Sequence, residues 1–199
     1  MVLTKTAIVF LLLGITLGIC GWQFLGIFKK SSNKDRVGLL LGVFIFISAV
    51  QNIVLGIGTL FFIRNETALQ YFFLLAQMLL ALHATLGLYT VAYIFSKNIF
   101  VKIIAFIVGF LGAMATVLTA TENPPAFITK FGSVDWLMGP SLSLLTFALL
   151  LASIGSFIYI FSQLYRSAIS FSLKIFSLIL SLAGMIALIG IFKIGRAHV

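Results

Sequence analysis

Six long runs of apolar residues alternate with short polar connections along the chain, and Asp, Glu, Lys and Arg occur only near the ends of the runs. Each run is long enough to cross a bilayer core of about 30 Å, which requires roughly 20 helical residues. A segment in lipid must satisfy its own backbone hydrogen bonds, so helices are expected. The pattern predicts an all-α bundle, one transmembrane helical domain over residues 1–193, with spans at 6–28, 37–63, 70–96, 99–120, 141–163 and 170–192.

The composition supports this interpretation. Hydrophobic residues make up 62% of the 199 residues and charged residues only 9%, whereas a soluble domain has about 25% charged residues. We therefore expect the outer surface of the protein to contact the lipid bilayer. The first run is longer than the apolar core of a signal peptide and lacks an Ala-x-Ala-like cleavage site, so it is predicted as an uncleaved span.

Basic residues are concentrated in alternate connections. The first, third and fifth connections, at residues 29–36, 97–102 and 164–174, hold eight Lys or Arg, and the second and fourth hold two. Basic loops stay in the cytoplasm, so these three are predicted to be cytoplasmic, with the N-terminus outside an inner or plasma membrane. The net charge of +9 is explained in this way, and no nucleic-acid partner is expected.

A few polar side chains fall at mid-depth within the predicted spans. His83 lies at the middle of the third span with Thr90 on the same helical face, and the second span carries Ser48, Gln51 and Asn52 in a similar stripe. Serines at comparable depth in the fifth and sixth spans are Ser153 and Ser181. One hypothesis is that these residues line a ligand pocket, and the alternative is that their hydrogen bonds hold the bundle together.

The fourth connection, residues 121–140, is the only long one. Pro124 and Pro125 are expected to end the preceding helix, and aromatic residues follow, among them Phe131 and Trp136. These two are candidate contacts for a ligand on the outer face. The alternative is a loop that lies on the membrane interface, where aromatic residues are common.

No catalytic or metal-binding arrangement is visible. The four acidic residues, Asp35, Glu66, Glu122 and Asp135, lie in predicted connections, and none stands near His83 in sequence. The single cysteine, Cys20, is interpreted as a packing residue, since one thiol forms neither an intrachain disulfide nor a cysteine metal site. We expect no enzymatic activity, no cofactor and no metal.

The third to sixth spans, the basic odd connections and the long outer loop with Gly132, Trp136 and Gly139-Pro140 resemble the N-terminal seven-helix sensory region of bacterial histidine kinases. That resemblance implies a membrane receptor region that passes its signal to a cytoplasmic domain after a seventh helix. The alternatives are a small-solute transporter or permease subunit, and a structural membrane protein without a ligand. A small-molecule ligand and a homodimer are both left open.

The last six residues, Ile-Gly-Arg-Ala-His-Val at 194–199, resemble one translated frame of a common sequencing adapter. They are therefore predicted to be a non-native tail. On this interpretation the gene is cut within or after the sixth span, and a seventh helix is expected in the intact product.

Overall fold

The computed structural model describes residues 4–30, 36–62, 64–96, 98–129, 134–167, 174–175, 177–182 and 185. It confirms the all-α bundle. Within these residues, five helices are each long and apolar enough to cross a membrane, which is compatible with an integral membrane protein: α1 (Lys5–Lys30), α2 (Arg36–Phe61), α3 (Glu66–Val91), α4 (Ile99–Glu122) and α5 (Pro140–Ser167). A π-helical segment, Ala92–Ser96, extends α3.

The predicted sixth span falls partly on residues that the structure does not describe. Residues 174–175, 177–182 and 185 are helical, and Leu180 packs in the core with Phe44 and Phe161. The remainder of 170–192 and the predicted tail at 194–199 lie outside the described residues.

Two helix ends extend beyond the apolar runs that predicted them, the start of α3 and the end of α4, because these ends are set by capping. The Asn65 side chain accepts a hydrogen bond from Ala68 N at 3.1 Å, so α3 begins four residues before the predicted span. Asn98 caps α4 through Phe100 N at 2.9 Å, and Asn123 ends that helix in the left-handed conformation, with φ 46°. Such caps satisfy backbone groups that a helix terminus leaves free.

The fourth connection differs from the predicted loop, because it forms a short antiparallel β-hairpin. Strands β1 (Ala126–Ile128) and β2 (Val134–Trp136) pair with Phe127 opposite Asp135. The strand residues include β-branched and aromatic types, which favour extended structure. The two strands are not recognisable from the sequence, because each is too short to show an alternating pattern.

Helix α3 is central and packs against α2, α4 and α5. Helix α1 packs on α2, where glycines allow close approach: a Cβ at Gly14 would lie 2.6 Å from Ile53 Cγ1, and one at Gly21 would lie 3.2 Å from Phe46 N. Large apolar side chains point outward, with Trp22 73% and Phe106 77% exposed. An apolar outer surface of this extent is typical of a bundle solvated by lipid.

Candidate functional site

His83 is the centre of the candidate site and joins three helices. It lies in the middle of α3 and is only 3% exposed. Its Nδ1 lies 2.7 Å from the hydroxyl oxygen of Ser153 on α5. On the other side its ring stacks on Phe44 of α2, with the ring centroids 4.3 Å apart and the planes 14° from parallel. The imidazole is thus held in one orientation by an aromatic face and one hydrogen bond.

The second ring nitrogen of His83 is unsatisfied. Nε2 is buried and has no hydrogen-bond partner among the residues that the structure describes. A neutral imidazole has one N–H donor and one acceptor nitrogen, so Nε2 can form one further bond as donor or acceptor, according to the tautomer. Leaving a buried polar atom unpaired costs about 1–3 kcal/mol. The site therefore offers one directional polar contact in apolar surroundings.

Gly87, one turn beyond His83 on α3, allows the three helices to meet. A Cβ at this position would lie 2.8 Å from Phe44 Cε2 and 2.8 Å from Ser156 Cβ. Both distances are far below ordinary carbon contacts of about 3.5–4.0 Å. The absence of a side chain at Gly87 thus lets Phe44 reach His83 and brings α5 close enough for Ser153 to bond.

A second buried polar contact joins the same two helices. Gln77 Nε2 on α3 donates to Thr146 Oγ1 on α5 at 2.6 Å. Thr146 precedes Ser153 by two helical turns, so both contacts lie on one face of α5. Gln77 and Thr146 are not among the residues predicted from the sequence. The sequence signal that could have indicated this contact is Gln77 itself, an amide in the interior of the apolar run that also carries His83.

The structure brings together only part of the predicted polar cluster. Thr90 is buried on the same helix, but its hydroxyl donates to Leu86 O at 2.7 Å within α3. Asn52 Nδ2 similarly donates to Ser48 O at 2.7 Å within α2, and Gln51 is half-buried. Among the described residues no hydrogen bond connects these α2 side chains to His83. That they share a pocket with His83 stays a prediction.

The two serines predicted at similar depth have different partners. Ser153 is the hydrogen-bond partner of His83. Ser181 lies in the sixth helical stretch, 3.0 Å from the hydroxyl of Ser162 on α5. Only Ser153 therefore belongs to the site.

Trp136, at the end of the hairpin, uses one face of its ring for a contact within the protein, and its role as an outer ligand contact stays a prediction. It stacks on Phe73 of α3, with centroids 4.7 Å apart, and its buried Nε1 has no partner among the described residues. The hairpin is further held by Val134 N, which donates to Thr6 Oγ1 at 2.9 Å, and by Gly139 N, which donates to Glu122 Oε2 at 3.0 Å. The other predicted outer contact, Phe131, lies outside the described residues.

In the described part of the chain, no group of three or more His, Cys, Asp or Glu side chains is placed to hold a metal ion. The expectation that the chain has no enzymatic activity stays a prediction. In comparisons with protein-family models, curated proteins and solved structures, nothing matches the chain.

Proposed function

We propose that the chain forms the membrane-embedded sensory region of a signalling protein, and that a small ligand is recognised at Nε2 of His83. The observation that carries the proposal is the unpaired, buried ring nitrogen of an imidazole held by Phe44 and Ser153. Buried polar atoms normally have partners, and an unpaired one calls for an explanation. A ligand with one hydrogen-bonding group and an apolar body would satisfy the atom at little desolvation cost.

The position of His83 suits signalling. Helix α3 packs against α2, α4 and α5, and His83 contacts two of these helices directly. A ligand shifts a conformational equilibrium when it binds one arrangement of the helices better than another. A bond at Nε2 would favour the arrangement in which α2, α3 and α5 hold the imidazole in place. The resemblance to histidine-kinase sensory regions is consistent with such a role.

Charge patterning supports an orientation for the same proposal. The connections at 29–36, 97–102 and 164–174 carry most of the basic residues between spans, and basic loops are retained in the cytoplasm. We place these connections in the cytoplasm and the N-terminus outside. The hairpin and its Trp136 would then cover the outer end of the bundle, and a cytoplasmic output domain would receive the signal.

A transporter is the main alternative. Proton-coupled transporters depend on ionisable residues within the membrane, because the cost of burying a charge there is recovered only through function. The span interiors contain no Asp, Glu, Lys or Arg and a single histidine, His83, whereas proton relays consist of chains of Asp, Glu and His side chains. This difference favours a receptor over such a mechanism.

The test uses the purified full chain in lipid nanodiscs and a panel of short-chain alcohols, amides and carboxylic acids. A compound that binds the site raises the thermal unfolding temperature, since a ligand at 100 times its Kd stabilises by about 2.7 kcal/mol. His83→Leu should abolish the shift. Gln77→Leu is the matched control, because Gln77 is also 3% exposed and bonds the same helix pair, and it should retain most of the shift.

Two results would contradict the proposal. If no compound in the panel distinguishes wild type from His83→Leu, Nε2 is not a ligand site. If His83→Leu and Gln77→Leu lose the shift equally, the polar contacts only hold the bundle together. A stabilising compound that also enters liposomes carrying the protein, and does not enter empty liposomes, would identify a transporter instead.

A further inference from the structure

A groove of about 380 Å³ lies between α3 and α4, near the end of the bundle where α3 finishes and α4 begins. It is separate from the His83 site and open to the outside of the bundle. Its lining residues are Leu82, Thr85, Leu86, Tyr89, Lys102, Ala105 and Phe106. Leu82, Tyr89 and Phe106 are exposed, so whatever fills the groove approaches from the lipid side.

The groove adjoins a region in which α3 and α4 pack closely. A Cβ at Gly112 would lie 2.5 Å from Ala81 Cβ, and a Cβ at Gly109 would lie 3.3 Å from Thr85 Cγ2. These two glycines allow α3 and α4 to touch over the adjoining turns. Towards the start of α4, one and two turns before Gly109, the chain carries Ala105 and Lys102, which line the groove.

The groove has an apolar lining with one cation, Lys102, at its end. The Thr85 hydroxyl donates to Ala81 O at 2.8 Å within its own helix, so it adds little polarity. The Tyr89 ring stacks on Tyr93, with centroids 6.2 Å apart. Lys102 is the single charged residue of the lining and lies in the second turn of α4.

Lys102 has no carboxylate partner in the described part of the chain. Glu66 is the first residue of α3 and Glu122 the last residue of α4, so both lie at the opposite end of the bundle from the groove. The N-terminus of α4 adds a partial positive charge of about half a unit through the helix dipole. The positive potential at the polar end of the groove therefore favours an anion over a cation.

We infer that this groove binds an anionic phospholipid, with one acyl chain against Leu82, Leu86 and Phe106 and the phosphate at Lys102. The four α3 lining positions from Leu82 to Tyr89 span about 10 Å at 1.5 Å per residue, which accommodates the upper part of an acyl chain. A lysine at a helix end extends its ammonium group to the headgroup level while its methylenes contact apolar surface. This inference does not depend on the role of His83.

The test is a titration of the detergent-solubilised full chain with phosphatidylglycerol and phosphatidylcholine of identical acyl chains, followed by native mass spectrometry. We expect phosphatidylglycerol to bind about fivefold more tightly, since one basic residue near an anionic surface contributes about 1 kcal/mol. Lys102→Gln should remove this preference. Arg166→Gln should keep it: Arg166 is an exposed cation at the same end of the bundle, outside the groove.

A second variant tests the acyl-chain contact. Ala105→Phe fills the groove and should weaken the binding of both lipids several-fold, whereas Lys102→Gln should weaken only phosphatidylglycerol. Equal affinity of the wild type for the two lipids, or an equal loss of preference in Arg166→Gln, would overturn the inference. So would unchanged binding in Ala105→Phe, or displacement of phosphatidylglycerol by glycerol phosphate, which would identify a site for the headgroup alone.

Discussion

Replacing Gly87 with alanine should destabilise the bundle, because three helices meet at that position. The added methyl would lie 2.8 Å from Phe44 Cε2, 2.8 Å from Ser156 Cβ and 3.2 Å from Ser156 Oγ. Phe44 is fully buried, so its ring has no free space into which to move. Overpacking of this kind costs about 1–3 kcal/mol, and alanine returns about 0.5–1 kcal/mol through its better helix propensity. The expected net loss is about 1 kcal/mol, within a range of about 0–2.5 kcal/mol.

The free energy of unfolding can be measured by titrating the detergent-solubilised protein with sodium dodecyl sulfate and following helix content. Gly155→Ala is the matched control, since Gly155 is exposed on α5 and an added Cβ there meets nothing within 4 Å. It should stabilise by about 0.5–1 kcal/mol. Ser156→Gly should partly rescue Gly87→Ala, because it removes the Ser156 Cβ and Oγ that the added methyl would meet. Among the residues that the structure describes, the only hydrogen bond of the Ser156 hydroxyl is to Ala152 O of its own helix, so its loss breaks no hydrogen bond between helices. If Gly87→Ala is as stable as Gly155→Ala, the close approach of the three helices is refuted.

Three further predictions concern other contacts. A double-mutant cycle of Gln77→Leu and Thr146→Val should give a coupling free energy of about 0.6 kcal/mol, with about 1.7 as the upper bound, and zero coupling would contradict the 2.6 Å bond. Trp136→Ala removes the aromatic stack between the hairpin and α3, which contributes about 0.5–1.5 kcal/mol. Limited proteolysis should therefore cut the hairpin faster in this variant than in the control Leu137→Ala, because the Leu137 side chain is exposed. Ser32→Cys in a Cys20→Ala background should resist membrane-impermeant thiol reagents in whole cells, and rapid labelling would reverse the proposed orientation.

Hydropathy predicted the helices well and their ends less well. The run beginning at residue 70 corresponds to a helix that starts at Glu66, and the run ending at residue 120 to one that ends at Glu122. Apolar runs report the part of a helix that lies in hydrocarbon, whereas caps such as Asn65 and Asn123 decide where the helix stops. The hairpin was missed for a related reason, since three-residue strands carry too little alternation to be recognised.

The candidate site was predictable in its centre and not in its partners. A histidine at the midpoint of an apolar run is costly in lipid wherever it points, so His83 could be singled out from the sequence. Its stacking on Phe44 could not be foreseen, because Phe is abundant in the chain and any of several rings could have faced it. Asn52 and Thr90 looked equally suited to the site, but their polar groups bond within their own helices.

The composition and the lengths of the apolar runs alone specified an all-α membrane bundle. Unpaired backbone groups are costly in lipid, and a helix pairs all of them within one such run. The pairing of His83 with Ser153, and of Gln77 with Thr146, depended on which faces of α3 and α5 came together. Hydrophobic burial has no direction, so it does not select the rotation of each helix about its own axis. Close contacts such as those at Gly87 and Gly112 do, because only a few relative positions of two helices avoid overlap between their side chains.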